Sequence, residues 1–399
     1  MRKAISENGI EFGGMFIFAQ KKRQMLSFWE KQSFLEYDLV VLGSGIAGLS
    51  TAISFKEKNP AKRILILERG IFPYGASTKN AGFACYGSAA EIWHDIGQLG
   101  LNRALSVVEM RVKGMQKLRQ RLGDEAIGYE ENGGGEIFRH EDVFESGILP
   151  ELNRLLYPFF GKTVFEKDPE GGRSLGFQTQ HIAQFIWNHA EGQIDTGRMM
   201  RSLLSLARQK GIELITGAEA SLPEQKSTGW KIPLENGPMV FDSEKIAVCT
   251  NAFAAKLFPD QDISPGRGQV LITKPIENLK WKGIFHFDEG YYYFRNVGQR
   301  VLFGGGRNLD FEGETTFEQA LNPAIQQKLE YYLKTLILPE NQAFEIEDRW
   351  AGIMAFGKEK VPIIKNFGNG LVAGVRMNGM GIAIGTEVGE QLALMLSEI

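Results

Sequence analysis

The feature that most constrains this chain is a glycine-rich segment that directly follows an apolar strand. Residues 37–48 read YDLVVLGSGIAG, and the helix-forming residues 49–58 come next. In such a strand–turn–helix unit Gly43 permits the tight turn, Gly45 lets the backbone approach a pyrophosphate, and Gly48 allows close helix–strand packing. Anions bind at a helix N-terminus because its N–H groups lack partners and the helix dipole favours negative charge. The segment therefore predicts a dinucleotide cradle.

A second apolar strand supports this prediction. Residues 63–67 form the strand, and Glu68 follows it, twenty residues after Gly48. A carboxylate at this position accepts hydrogen bonds from the ribose hydroxyls of the adenosine half, and it disfavours a 2′-phosphate and hence NADP. The alternative interpretation is a glycine-rich turn with an incidental surface acid, because a chain with 47 glycines contains chance matches to the motif.

The composition limits the classes of protein to which the chain can belong. With 399 residues, 43% of them hydrophobic, it can bury a large core and form two domains. A net charge of −3 provides no field for nucleic acid or anionic lipid. Cys85 and Cys249 lie far apart in the sequence, which predicts a reducing, cytoplasmic location. The two cysteines have no metal-site spacing and the five histidines form no HxxxH or HExxH pattern, so the sequence predicts no metal site. It also predicts no membrane span.

Three further patterns give the coarse organisation. The segment 70–87 contains GASTKNAG, whose small hydroxyl and amide residues can wrap a flat ligand closely and donate hydrogen bonds to it. From Leu101 to Leu122 apolar residues recur at helical spacing, which predicts a long amphipathic helix whose basic residues, Arg111 among them, face solvent. Alternating apolar residues predict an antiparallel sheet from the segments 269–274, 290–296 and 300–304.

The order of these motifs resembles that of the D-amino acid oxidase and glycine oxidase superfamily of FAD-dependent oxidoreductases, which includes sarcosine oxidase and gamma-glutamylputrescine oxidase. The resemblance runs from about residue 37 to the end, and each motif is modest alone, but their order over roughly 340 residues is specific. The matching motifs are GSGIAG, Glu68, GASTKNAG, residues 192–200, Thr250-Asn251, Gly268-Gln-Val, residues 291–295, Trp350-Ala-Gly-Ile and residues 374–381.

The resemblance implies FAD as the cofactor and assigns residues to it. Ala220 would approach adenine through its backbone, and the turn 378–381 would bring backbone N–H groups and a helix N-terminus to the pyrimidine end of the flavin. Reduction places negative charge there, and a positive helix end stabilises it; the alternative is a simple helix start. The implied FAD-binding residues are Gly43, Ser44, Gly45, Ile46, Ala47, Gly48, Glu68, Arg69, Ser77, Thr78, Asn80, Ala81, Gly82, Ala220, Thr250, Asn251, Gly374, Asn378, Gly379, Met380 and Gly381.

Differences from the family pattern bear on flavin attachment and on the substrate. Asn80 stands where some relatives attach flavin through a His, and residues 351–356 lack the Cys that others use, so FAD is expected to be non-covalent. Met354 stands where amino-acid oxidases of the group carry an Arg that pairs with the substrate carboxylate. A second cation is replaced by Met377, beside Arg376. The sequence therefore does not favour simple oxidation of glycine or D-amino acids.

The strand around residues 291–295 is predicted to line the substrate site. A period of two places Tyr291, Tyr293 and Arg295 on one face, and Tyr292 and Phe294 on the other. One face would form an aromatic wall, and ordinary sheet packing is the alternative. The candidate catalytic residues are Tyr291, Tyr293, Arg307 and Met354; further wall candidates are Phe83 and Trp350, and further anion-binding candidates are Lys358 and Lys360, for which a solvated loop cation is the alternative.

Three functional hypotheses follow. The first is an enzyme that oxidises a C–N bond of an amine or N-substituted amino acid by hydride transfer to flavin N5, with hydrolysis of the imine and with oxygen or another electron acceptor. The second is an FAD-dependent 2-hydroxy acid dehydrogenase, which needs a base for the hydroxyl proton; His286 is the candidate, against a packing or surface His. The third is a flavoprotein that has lost turnover and acts as a binding module, which the intact flavin motifs disfavour.

The predicted fold is mixed α/β, with a Rossmann-like FAD-binding domain and an inserted substrate domain built on a mainly antiparallel sheet. Dinucleotide-type elements occur at both ends and in the middle of the chain, so the FAD-binding domain is predicted to be discontinuous. The predicted boundaries are 1–29 for a poorly ordered extension, 30–92, 190–270 and 345–399 for the FAD-binding domain, and 93–189 and 271–344 for the substrate domain.

Overall fold

The computed structural model describes residues 25–140 and 144–398. Residues 1–24 of the predicted extension lie outside the described residues, and its last two residues begin the first helix, which Ser27 caps by accepting the N–H of Glu30. The helices are α1 (Phe28–Phe34), α2 (Ile46–Lys58), α3 (Ala89–Leu99), α4 (Leu101–Leu122), α5 (Asp124–Ile127), α6 (Leu149–Phe160), α7 (Thr196–Gln209), α8 (Pro323–Tyr332) and α9 (Gly381–Glu398).

Within the described residues, the strands form two large sheets and one small sheet. They are β1 (Glu36–Leu42), β2 (Ile64–Glu68), β3 (Phe83–Ala84), β4 (Gly134–Phe138), β5 (Phe165–Lys167), β6 (Gln184–Asn188), β7 (Gly192–Gln193), β8 (Glu213–Thr216), β9 (Glu224–Gln225), β10 (Trp230–Pro233), β11 (Val240–Val248), β12 (Ser264–Thr273), β13 (Ile284–Phe287), β14 (Tyr292–Val297), β15 (Arg300–Gly305), β16 (Ile346–Phe356), β17 (Ile363–Gly368) and β18 (Leu371–Val375).

The first sheet carries the glycine-rich turn. Its strands lie in the order β17-β18-β11-β1-β2-β8, and all neighbours are parallel except β17 and β18; the β9–β10 hairpin joins β11. Strand β2 is buried at every residue because Ile64 and Ile66 pack into the core cluster that contains α2, whereas Leu65 and Leu67 pack into a second cluster on the other face. Burial on both faces explains why the strand reads as a continuous apolar run rather than an alternating one.

Glycines let three helices pack closely beneath the turn. A Cβ at Gly389 of α9 would lie 2.5 Å from the Cβ of Ser50 in α2, and a Cβ at Gly114 of α4 would lie 2.0 Å from the carbonyl oxygen of Ala383 in α9. Only glycine permits such close approach of two helix backbones. This packing holds the N-terminus of α9 beside that of α2, because a Cβ at Gly385 of α9 would lie 2.9 Å from Ile46 Cγ2.

The second sheet has the order β16-β12-β15-β14-β13-β4-β6-β5, and only β13 and β4 are parallel neighbours. One face bears an aromatic core that includes Phe285, Phe294 and Phe303, packed against α8. The register places Glu136, His286, Tyr293 and Gly304 directly opposite one another on four successive strands. Side chains of directly paired residues lie on the same face, so these four residues form one row on the other side of the sheet.

The predicted mixed α/β fold with a mainly antiparallel second sheet is confirmed, as is the long helix after Leu101. Strands β12 and β16 both belong to the second sheet, whereas the predicted boundaries assign most of their residues to the FAD-binding domain. The domain boundaries themselves stay a prediction. Within residues 25–140 and 144–398, no helix has both the length and the apolar character needed to cross a membrane.

Candidate active site

One cavity of about 1060 Å³ runs from the glycine-rich turn to the second sheet. It is lined at one end by Gly43 and Glu68 of the first sheet, and at the other by His286 and Tyr293 of the row described above. Its volume exceeds the range of about 300–1,000 Å³ that is usual for small-molecule sites. The cavity can therefore hold a dinucleotide together with a second, smaller molecule.

The three glycines of the turn are required by contacts in the structure. A Cβ at Gly48 would lie 1.9 Å from the carbonyl oxygen of Gly43, so α2 packs on the turn only with glycine there. Gly43 has a φ of 98° and lies against Cys249, which leaves no room for a side chain. A Cβ at Gly45 would lie 2.8 Å from Ser77 Oγ, at the N-terminus of α2. The backbone at Gly45 thus borders the cavity directly.

Glu68 is buried at the end of β2 and its position is fixed by three hydrogen bonds. Its Oε2 accepts from the Ser44 hydroxyl at 2.6 Å and from the Ser44 N–H at 3.1 Å, and its Oε1 accepts from the Gly70 N–H at 2.9 Å. Glu68 lines the cavity, whereas Ser44 does not. Ser44 therefore orients the Glu68 carboxylate, which the sequence analysis predicts to accept hydrogen bonds from the ribose hydroxyls.

The cavity offers groups that a dinucleotide would satisfy. Thr250 Oγ1 is buried beside the cavity and has no hydrogen-bond partner among the described residues. An unpaired buried hydroxyl costs free energy, so a polar ligand atom next to it is favourable. The N-terminus of α9 also faces the cavity, because Met380 and Gly381 line it. These features fit FAD at this site.

The turn before α9 has an unusual backbone. Arg376, Asn378 and Gly379 all have positive φ angles, of 61°, 47° and 81°. Non-glycine residues in this region are uncommon and are often found at functional sites. The turn is held by the N–H of Met377, which donates to Asn251 Oδ1 at 3.2 Å. Asn251, which follows strand β11 of the first sheet, therefore supports the turn before α9.

The structure brings most of the residues assigned to FAD into one cavity. Those that line it are Gly43, Gly45, Ile46, Ala47, Glu68, Arg69, Ser77, Asn80, Ala81, Ala220, Thr250, Asn251, Asn378, Gly379, Met380 and Gly381. Those that do not are Ser44, Gly48, Thr78, Gly82 and Gly374. Gly82 and Gly374 instead allow close packing, since a Cβ there would lie 2.5 Å from the Ile194 carbonyl oxygen and 2.6 Å from Val388 Cγ1. Their contact with FAD stays a prediction.

The far end of the cavity has aromatic walls. Tyr291, Tyr293 and Met354 line it, whereas Tyr292 and Phe294 belong to the aromatic core on the other face of the sheet. The Tyr293 ring contacts Phe83 edge to face at 5.6 Å, and burial raises the pKa of Tyr293 to about 12, so its phenol is neutral. The wall prediction for Trp350 is wrong. Trp350 does not line the cavity, and its indole N–H donates to the Lys79 carbonyl oxygen at 2.9 Å.

Arg307 differs from the other candidate cations of this region. It lines the cavity, it forms no salt bridge with any described residue, and its Nε has no hydrogen-bond partner among them. Its guanidinium lies over the Phe356 ring at 4.4 Å, and burial lowers its pKa. Arg376 instead pairs with Asp262 at 3.0 Å and does not line the cavity, and Lys360 pairs with Glu91 at 2.6 Å.

The sequence analysis missed a polar cluster in the same cavity. Arg111, predicted to face solvent, is only 2% exposed; it donates to Glu91 Oε1 at 2.6 Å and its Nε contacts Met380 Sδ at 3.1 Å. The signal was present, because residue 111 falls within the apolar stripe at 108, 112 and 115 and so lies on the buried face of α4. Glu191 belongs to the same cluster, as does His286, which is the candidate base of the sequence analysis.

Comparisons with known proteins agree with this architecture. The structure is similar to L-proline dehydrogenase from P. horikoshii, with a TM-score of 0.74, 16% identity and coverage of 91% of this chain and 94% of the other. It is also similar to glycine oxidase from Geobacillus kaustophilus, with a TM-score of 0.74, 18% identity and coverage of 91% and 95%. No curated protein sequence gives a significant match. The family model of the DAO FAD-dependent oxidoreductases matches residues 38–395. The chain therefore belongs to the DAO family of FAD-dependent oxidoreductases.

Proposed function

We propose that this oxidoreductase oxidises a C–N bond of an amine or an N-substituted amino acid. FAD, when bound, accepts the hydride, and oxygen or another acceptor reoxidises it. The observation that carries the proposal is an aromatic chamber, lined by Phe83, Tyr291 and Tyr293 and continuous with the dinucleotide cradle. Arg307 also lines this chamber, and it forms no ion pair with any residue that the structure describes. Structural neighbours named for proline, glycine and iminodiacetate support the class of substrate, since each compound contains a C–N bond.

The chamber suits the chemistry of an amine. An amine must lose its proton before its carbon can give up a hydride, and apolar surroundings lower the pKa of an ammonium group. Tyr293 and Phe83 provide such surroundings, and the neutral Tyr293 phenol can orient the substrate without adding charge. The protein would thus favour the reactive, neutral form of the substrate.

The position of Arg307 indicates a substrate larger than glycine. Met354 packs against Gly268 of β12, where a Cβ would lie 2.6 Å from Met354 Cε, and Arg307 packs against Gly266, where a Cβ would lie 3.2 Å from Arg307 Cζ. Two residues along a strand span about 6.8 Å. The cation is therefore displaced along the strand by roughly this distance from the position of Met354, and it can bind an anionic group of a longer molecule.

The first test is reduction of the bound flavin by a panel of substrates without oxygen. We expect amines and larger N-substituted amino acids to bleach the flavin absorbance faster than glycine, D-alanine or D-proline, because Met354 cannot hold a carboxylate as an Arg would. Stopped-flow absorbance measures the rates. Efficient bleaching by small D-amino acids, with KM well below about 1 mM, the upper end of the usual range, would contradict the proposal and would assign the carboxylate to another cation.

We also propose that FAD is bound without a covalent link. Asn80 replaces the His used by some relatives, and burial raises the pKa of both Cys85 and Cys249 to about 12, which disfavours the thiolate that attachment to sulfur requires. Acid precipitation of the purified yellow protein should release all of the flavin into the supernatant, where chromatography should identify FAD. Flavin that stays with the pellet, or FMN in the supernatant, would contradict this.

His286 supports a second candidate function, oxidation of a 2-hydroxy acid. The side chain is 12% exposed and lines the cavity, and desolvation lowers its pKa to about 4, so the imidazole is neutral at pH 7 and has a nitrogen free to accept a proton. A hydroxy acid needs such a base for its hydroxyl proton. Adding 2-hydroxy acids to the bleaching panel separates the two functions, because compounds without nitrogen would reduce the flavin only in the second.

A further inference from the structure

Glu191, in the loop between β6 and β7, has a carboxyl group that the fold leaves incompletely paired. The residue is 0% exposed, its Oε1 accepts from the Tyr86 N–H at 3.3 Å, and the Gly87 N–H also stabilises the carboxylate. Its Oε2 is buried and has no hydrogen-bond partner within the described parts of the chain, yet Glu191 lines the cavity. A buried carboxyl oxygen without a partner is costly, so its position at a cavity indicates a ligand.

His286 lies next to this oxygen. Its Nε2 is 4.0 Å from Glu191 Oε2, which leaves no direct hydrogen bond between them. His286 pairs across the strands with Tyr293, and both side chains line the cavity on the same face of the sheet. Glu191 and His286 therefore lie side by side in the cavity lining, and His286 is next to Tyr293 of the aromatic wall.

The cations near Glu191 form ion pairs with other carboxylates. Arg111 of α4 forms an ion pair with Glu91 of α3 at 2.6 Å, and Lys360 binds the same carboxylate at 2.6 Å. Lys360 also contacts Asp95 at 3.2 Å. The titratable groups that face Glu191 are Glu91, Arg111, Cys85, Tyr86 and His286. None of the described cations is paired with Glu191 itself, and burial raises its pKa to about 8.

We propose that Glu191 and His286 form the binding site for the amino group of the substrate. The choice of an amine rests on the proposed function, while the existence of a site rests on the unpaired Glu191 oxygen. The two atoms suit a nitrogen that carries hydrogens, because both a carboxylate oxygen and a neutral imidazole nitrogen can accept hydrogen bonds from it. An anion is disfavoured there by the Glu91 and Glu191 carboxyls, and Arg307 lies against a different strand, β12.

The site also accounts for loss of the substrate proton. An ammonium N–H bond breaks and an O–H bond forms on the Glu191 carboxylate, while the electron pair stays on nitrogen as the lone pair of a neutral amine. Burial raises the pKa of Glu191 to about 8, so the carboxylate that accepts the proton is the minor form at pH 7 and becomes the major form above about pH 8. Because this pKa is closer to that of an ammonium group, the transfer is more favourable than to an ordinary carboxylate. Glu191 would act as proton acceptor, with His286 as the neighbouring acceptor of a hydrogen bond.

The test compares two ligands of the same shape on the FAD-loaded protein. tert-Butylamine has no hydrogen on the carbon bonded to nitrogen, so it cannot be oxidised, and pivalate replaces its amino group with a carboxylate. Both dissociation constants are measured from changes in the visible flavin spectrum and from ligand-induced shifts in Tm. We expect Glu191→Gln to weaken tert-butylamine binding about tenfold or more, and pivalate binding by no more than about twofold.

Glu136→Gln is the matched control. Glu136 is equally buried and lies on the strand beside His286, but its carboxylate is hydrogen-bonded to Ser88 Oγ at 2.9 Å and to the Ala90 N–H at 3.2 Å, and it does not line the cavity. It should leave the affinities for both ligands unchanged. His286→Gln should weaken tert-butylamine binding selectively and by less than Glu191→Gln.

Three results would overturn the inference: no binding of tert-butylamine by the native protein, equal binding by Glu191→Gln, or equal weakening for both ligands. If Glu191→Gln loses its flavin or fails to fold, Glu191→Asp and His286→Gln decide on the same criteria. The outcomes also separate this inference from the proposed function. Amines that bleach the flavin of Glu191→Gln with unchanged affinity would overturn the site alone, whereas tert-butylamine binding without bleaching by any amine would overturn the function alone.

Discussion

Gly45→Val is expected to abolish FAD binding while leaving the secondary structure intact. The Cβ atom of the valine would lie 2.8 Å from Ser77 Oγ. That hydroxyl accepts a hydrogen bond from the Ile46 N–H at 3.0 Å, at the start of α2. The two methyl groups of valine would occupy the space in which the backbone meets a pyrophosphate. The measurement is the flavin-to-protein absorbance ratio of the purified variant after incubation with excess FAD, together with its far-ultraviolet circular dichroism.

Gly97→Val provides the control for this substitution. Gly97 is exposed on α3 and has no positive φ, and a Cβ added there would have no neighbouring atom within 4 Å. Valine has a higher helix propensity than glycine, so the substitution should leave α3 intact and the variant should keep a full complement of FAD. Full flavin occupancy in Gly45→Val would mean that the dinucleotide binds elsewhere.

The cradle could be predicted from the sequence because its geometry is local. Strand β1, the turn and Glu68 lie within about thirty residues, and a βα unit leaves few ways to arrange them. Gly48 is an example, since its contact with Gly43 is a contact within one turn and helix. The strand around Tyr293 was also predictable, because the period of two alone separates Tyr293 at the cavity from Tyr292 and Phe294 in the aromatic core.

The polar end of the cavity could not be predicted in the same way. Glu91, Arg111, Glu191 and His286 come from four separate parts of the chain, and they meet only because α4 packs on α9 through Gly114 and because β13 pairs with β4. Sequence periodicity can show that Arg111 lies on a buried face. It cannot show which residues from distant elements face it.

Trp350 illustrates a second limit. It occurs in a motif of the family pattern and is a predicted residue of the chamber wall. In the structure it packs beside Ala81 and Val270, and its indole N–H donates to the Lys79 carbonyl oxygen. The motif predicts which strand carries Trp350. It does not predict which loop packs against the indole, because that depends on tertiary structure. Here the loop after β2 covers Trp350, so the indole supports that loop instead of contacting a substrate.

Arg307→Met is expected to raise the KM for an N-substituted amino acid by about 10- to 100-fold, with a much smaller change for an uncharged amine. Loss of a charge-assisted hydrogen bond costs roughly 1.5–3 kcal/mol, which corresponds to about this factor in affinity. Methionine keeps the apolar contact with the Phe356 ring, over which the guanidinium lies at 4.4 Å, so the wall itself should remain. Steady-state kinetics on both substrates, with flavin content measured in parallel, gives the ratio.

Lys358→Met is the matched control for this prediction. Lys358 also lines the cavity, but it is exposed on the loop after β16, where water can screen its charge. We expect its removal to change KM by no more than about twofold, as is usual for an exposed cation whose interactions are worth less than about 1 kcal/mol. If Lys358→Met, and not Arg307→Met, raised KM selectively for the N-substituted amino acid, the anion would bind at the loop and not at Arg307. Equal losses for charged and uncharged substrates in Arg307→Met would show that Arg307 shapes the chamber and does not bind an anionic group.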